Sequence, residues 1–154
     1  MTTTTHASFV IERFYSASPK RVYAAWSDPV AKRAWFVEGE GWDIQSYEID
    51  FREGGGEKSS YGFRRGEEVF GEKTTFSNET VFNEIVENER IVFTYSMARN
   101  GARFSVSLST VEIAPTDKGS RLIFTEHGAF FEGGDNVTMR EQGWQELLGK
   151  LDRF

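Results

Sequence analysis

Cysteine is absent from the 154 residues, so disulfides, thiolate nucleophiles and cysteine-based metal sites are excluded. No apolar run approaches the ~18 residues needed to span a membrane. The opening MTTTTHAS has neither the basic region nor the apolar core of a signal peptide. Basic charge is in deficit: 18 Lys and Arg against 24 Asp and Glu leave a net −6, which argues against nucleic acid, whose partners present a basic face. These absences point to a cytoplasmic protein without nucleic-acid or membrane partners. What the chain has in abundance is rings, with 14 Phe, 5 Tyr and 4 Trp. A core so rich in aromatics is either tightly packed or lines something.

The length suits one domain that buries roughly two-thirds of its unfolded surface. Residues 1–7 are polar and read as a disordered tip, leaving 8–154 as the domain. The segment SFVIERFYS (8–16) alternates as a strand, with Phe9, Ile11 and Tyr15 on one side. Ser18 followed by Pro19, and Asp28 followed by Pro29, are two successive helix starts. Strands are expected at 42–51, 59–64, 79–86, 90–97, 103–113 and 121–127, while RGEEVFGEK (65–73) fits neither strand nor loop clearly. Asn100-Gly101 marks a tight hairpin. In RFSVSLSTVEI, Phe104, Val106 and Leu108 share one face, taken as the buried one, with three serines opposite. A bulge near Thr110 would then return Val111 and Ile113 to the buried side.

The last segment, REQGWQELLGKLDRF, places Trp144, Leu147, Leu148, Leu151 and Phe154 on one helical face, with Thr138 and Glu141 spaced as a capping box. The fold class that satisfies every face is α+β. A curved antiparallel sheet of about six to seven strands grips the long C-terminal helix, and two short helices follow the first strand.

Four pieces in this order carry a resemblance: ASPKRVYAAWSDPVAKRAWF, DFREGGG, NEIVENERIVFTY and the GW that heads the last helix. From about Phe9 to Phe154 the chain resembles the AHSA-like proteins. These are homologues of the C-terminal domain of the activator of heat-shock-chaperone ATPase, within the START-like (SRPBCC, helix-grip) superfamily. The resemblance implies a cavity between sheet and long helix, often holding an apolar small molecule, and no universal catalytic set. Nothing in the sequence matches the chaperone-docking N-terminal domain of the eukaryotic co-chaperone.

Candidate cavity residues are the aromatics Trp35, Phe36, Tyr61, Phe63, Phe82, Phe93, Tyr95, Phe104, Phe130 and Trp144. Three residues of the last helix join them. Leu148 lies on its apolar stripe, and Gly143 at the stripe's edge leaves room for a strand or a ligand. Arg140, on the same stripe, either snorkels to solvent or anchors a ligand at the cavity mouth. His127, the only histidine in the body of the chain, is placed at a strand end near that mouth, without a nucleophile or acid at a catalytic spacing. No residue is assigned a catalytic role.

The acids Glu48, Asp50, Glu84 and Glu126 read as solvent-side residues of strands, and no ligand-spaced metal motif is present. REGGGEK precedes a strand instead of a helix, so it bends the sheet and does not cradle phosphate. The leading function is binding of a hydrophobic or aromatic small molecule in the cavity, with no cofactor. Two alternatives are a polyketide cyclase/dehydratase-like enzyme using the same cavity and a chaperone-interacting module. A homodimer stays open.

Overall fold

The first strand of the computed structural model, β1 (Thr5–Tyr15), begins three residues earlier than the sequence pattern suggests. Thr5, His6 and Ala7 pair with Phe130, Ala129 and Gly128, so these residues of the expected disordered tip belong to the sheet. The structure describes residues 3–39, 42–63, 74–131 and 135–154. The ambiguous segment 65–73 lies outside them.

Both short helices start where expected. In α1 (Pro19–Ser27) the Ser18 hydroxyl accepts from the Arg21 amide, and in α2 (Pro29–Phe36) the Asp28 carboxylate accepts from the Val30 and Ala31 amides. Each cap satisfies amides that the helix itself leaves unpaired, and proline fits the first turn because its missing N–H is not needed there. The remaining strands are β2 (Trp42–Ile49), β3 (Gly56–Phe63), β4 (Thr75–Val86), β5 (Arg90–Arg99), β6 (Ala102–Thr116) and β7 (Gly119–Phe130). They form one sheet, all neighbours antiparallel, in the order β1-β7-β6-β5-β4-β3-β2. β1 and β2 therefore lie on opposite edges, and α1 and α2 are the chain that crosses between them.

The β5–β6 hairpin turns on Asn100 (φ 50°) and Gly101 (φ 83°), the two positive values that a type I′ turn requires. Its neighbour β6 departs from expectation. Its pairing with β7 runs unbroken from Ser105 to Thr116, so there is no bulge at Thr110. The irregularity lies at the other end, where β5–β6 pairing skips Phe104 between Met97 and Ala98. Phe104 and Ser105 are consequently both buried. Beyond them Ser107 and Ser109 point inward, while Val106 and Leu108 point outward and are 42% and 43% exposed. A one-residue slip exchanges the two faces of a strand.

The final helix, α3 (Val137–Lys150), continues as a 3-10 turn over Leu151–Arg153. It is capped by Asn136, whose side chain accepts from the Met139 amide, and not by Thr138. Trp144, Leu148 and Leu151 face the sheet. Trp144 packs 4.3 Å from the Phe124 ring and stacks on Trp26 at 6.2 Å, joining helix, sheet and α1 in one core. The Tyr15 hydroxyl donates to the Leu148 carbonyl at 2.9 Å, which pins the end of the helix to β1.

Candidate functional site: a cavity between sheet and last helix

The concave face of the sheet is not filled by α3. Between β2–β6, the end of α2 and the exposed flank of α3 lies a cavity of about 470 Å³, within the range typical of small-molecule sites. Its floor is aromatic. Trp42 stacks on Phe63 at 4.7 Å and meets Tyr61 edge-on at 5.2 Å, and Tyr61 stacks on Phe76 at 6.0 Å. Phe36 closes one side, its ring 5.9 Å from Trp144.

Eight of the expected residues line this space: Phe36, Tyr61, Phe63, Tyr95 and Phe104 from the body of the chain, and Arg140, Gly143 and Trp144 from α3. The other six do not. Trp35 is fully buried between the short helices, donating its Nε1–H to the Ala25 carbonyl at 2.8 Å. Phe82, Phe93 and Leu148 belong to the solid core. Phe130 packs behind the cavity, its ring 5.2 Å from the Arg140 guanidinium. A Cβ on Gly128 would come within 2.8 Å of that ring, so the absent side chain is what admits Phe130.

His127 is the clearest correction. It lies within β7, not at its end, and its side chain is exposed on the outer face opposite Leu108. Glu126, the preceding residue, points inward for the same alternating reason. His127→Gln should therefore leave ligand affinity in the cavity unchanged, measured by titration. A tenfold loss would place the site on the wrong face of the sheet.

At the end of the cavity beside α3, the polar residues converge. Arg140 is 5% exposed and neither snorkels nor dangles at the mouth. Its Nε donates to Asp135 at 2.9 Å. Nη1 reaches the Tyr95 hydroxyl at 2.9 Å and Glu126 at 3.2 Å, and Nη2 donates to Ser105 at 2.6 Å. Glu126 is fully buried, contrary to its expected solvent placement, and also accepts from Tyr95 at 2.7 Å and Ser109 at 3.0 Å. The inward serines of β6 are thus the wall of this ion pair. Burial pushes the Tyr95 phenol far above its ordinary range, against the opposing pull of Arg140.

A second buried pair joins α2 to β3, outside the cavity's lining. Lys32 of α2 donates to both Glu57 oxygens at 2.9 Å, and the Tyr47 hydroxyl donates to the same carboxylate at 2.6 Å. Lys32 also sits over the Phe36 ring, 4.1 Å from its centre. Burial lowers the Lys32 pKa, with Glu57 opposing. Two isolated charges inside an apolar domain would be prohibitive, and direct pairing with added hydrogen bonds is what makes each tolerable.

Sequence reasoning missed Trp42, Phe76, Asn78 and Met97 as lining residues, and it missed both ion pairs. A signal was available for one of them. An arginine on an apolar helical stripe, a glutamate inside LIFTEHGAF and serines alternating along one strand each break a local rule. Among the described residues no cluster of His, Asp or Glu could hold a metal ion, and no helix is long and apolar enough to cross a membrane.

The family model described as activator of Hsp90 ATPase homolog 1-like protein matches residues 16–154. Among solved structures, a protein from Rhizobium loti is 40% identical, with 98% of each chain covered and a TM-score of 0.86. One from Rhizobium leguminosarum is 33% identical over 99% of this chain and 96% of its own, with a TM-score of 0.89. The solution structure of an AHSA1-like protein from Aeromonas hydrophila shares the fold at 18% identity, covering 96% and 90% of the two chains with a TM-score of 0.64. No curated protein matches the chain.

Proposed function

The chain belongs to the family of activator of Hsp90 ATPase homolog 1-like proteins, and on that premise we propose that it binds a hydrophobic or aromatic small molecule between its sheet and last helix. The observation that carries this reading is Gly143. A Cβ built on this glycine would meet nothing within 4 Å, and the glycine faces the cavity. Glycine inside a helix costs about 1 kcal/mol relative to alanine. No strand approaches there to justify that cost, so the open space itself is the feature that Gly143 serves.

Proton-transfer chemistry is less well supported. His127 lies on the outer face, and the Tyr95 hydroxyl is tied to Arg140, Glu126 and Trp144 with its proton held more tightly than in a free phenol. A general acid or base at neutral pH needs a pKa near that pH.

A thermal-shift panel of sterols, fatty acids and polycyclic aromatics tests the proposal. A ligand present at a hundred times its Kd adds about 2.7 kcal/mol to the folded state, which is a rise in Tm on the order of 5–10 °C for a chain of this size. A panel with no stabiliser would count against a ligand site.

A further inference from the structure

Asn78 sits in the middle of the cavity floor and is 5% exposed. On one side along its strand-crossing row is Ser59, on the other Met97, and the diagonal neighbour across β3–β4 is Tyr61. One end of its amide bonds the Ser59 hydroxyl. The other end, Nδ2, makes no hydrogen bond to a described residue and, like the Tyr61 hydroxyl, is not sealed from solvent, since the one sealed and unpartnered side-chain polar atom among the described residues is Trp26 Nε1. The amide nitrogen therefore opens on the cavity, and a ligand that covers it without offering an acceptor leaves a buried donor unpaired, at a cost of about 1–3 kcal/mol. Leucine would fill the same volume without that penalty.

The charges around the cavity restrict what that something is. In the described lining Glu38, Asp135 and Glu146 face Arg99, Arg140 and Lys150, and the buried Glu126 stands directly behind Arg140. Arg140 already has two carboxylates, at 2.9 and 3.2 Å. Among the described residues there is therefore no surplus positive charge for an anion entering a site walled by rings, where an uncompensated charge is costly. The free end of the Asn78 amide, its Nδ2–H2, by contrast donates to a neutral acceptor at no cost in charge.

We infer that the cavity selects neutral ring-bearing molecules that carry a carbonyl or similar uncharged hydrogen-bonding group, which completes the free end of Asn78, and that it discriminates against carboxylates. This rests on the cavity being a ligand site and narrows the class of ligand it takes. Tyr61, on the adjoining strand, lines the same cavity.

Three near-isosteric probes separate the terms: 2-ethylnaphthalene, 2-acetylnaphthalene and 2-naphthoate, each titrated by calorimetry into the full chain and into Asn78→Leu. In the natural sequence the acetyl compound should bind about tenfold more tightly than the ethyl compound, the equivalent of one hydrogen bond. The naphthoate should bind more weakly than either. In Asn78→Leu the acetyl and ethyl compounds should become equal while the ethyl compound keeps its affinity. If the leucine variant does not fold, Asn78→Ala makes the same comparison. Ethyl and acetyl binding equally in the natural chain, a preference for naphthoate, or an acetyl preference that survives loss of Asn78 would overturn the inference while leaving an apolar site intact. Failure of all three probes to bind would overturn the cavity reading itself, and this inference with it.

Discussion

Arg140→Leu should lower the stability of the protein by about 3–5 kcal/mol, the range found when one partner of a buried ion pair is removed. The packing of leucine on the stripe occupied by Trp144 and Leu148 does not repay the loss. Glu126 has no access to solvent and would keep only the Tyr95 and Ser109 hydrogen bonds, with its charge unbalanced. Asp135, which takes the Nε bond, is more accessible at 17% of its side chain and would be rehydrated at lower cost. Adding Glu126→Gln to Arg140→Leu should restore part of the lost stability, because contacting residues are not additive and the second change removes the stranded charge. Denaturant unfolding midpoints with unchanged m-values measure both effects. A single variant as stable as the natural chain would mean that the pair contributes nothing to holding α3 on the sheet.

The elements that were legible in the sequence are those specified by neighbours along the chain. Ser18-Pro19 and Asp28-Pro29 start helices because hydroxyl, carboxylate and ring act within one turn. Asn100-Gly101 turns a hairpin because two adjacent residues adopt positive φ. The stripe of α3 is legible for the same local reason. What the sequence left open is decided across the sheet. Period-two alternation in β6 identifies two faces, but which one points inward depends on partners elsewhere: Arg140 on α3 and Glu126 on β7 hold the serines inside. Apolar residues alone suggested the opposite face, and the Phe104 irregularity that sets the phase has no turn residue to announce it.

The same distinction runs through the cavity. That rings would line it was legible from composition and from the helix-grip resemblance. Which rings do so was not, since Phe82 and Phe93 alternate on their strands as Phe76 and Tyr95 do. The difference is how far each lies along the sheet from the packed end of α3. Lys32 illustrates the limit further. Nothing in PVAKRAWF itself marks the lysine as buried, and only the approach of Glu57 from β3 gives it a partner there.

Gly143→Leu should weaken binding by about tenfold or more while leaving the fold intact, an effect above 1.4 kcal/mol on affinity. No atom lies within 4 Å of a Cβ at this position and the glycine lines the cavity, so the new side chain enters the space assigned to the ligand. Its effect on stability should be neutral or favourable, because leucine is a better helix former than glycine by most of 1 kcal/mol. Leu148→Ala, on the packed side of the same helix, should do the reverse. It removes a fully buried side chain and costs about 2–5 kcal/mol of stability without altering the cavity's lining.

The most direct measurement is calorimetric titration of 2-ethylnaphthalene into the natural chain and Gly143→Leu at two temperatures, alongside the unfolding midpoint of each. Binding in the cavity predicts one site per chain with a negative ΔCp from buried apolar surface. It also predicts a loss of affinity of about tenfold or more in the variant at an undiminished midpoint. Equal affinity in the two proteins would contradict the assignment of the site to this cavity. So would a variant that unfolds as readily as Leu148→Ala, since the space beside Gly143 would then belong to the protein and not to a ligand.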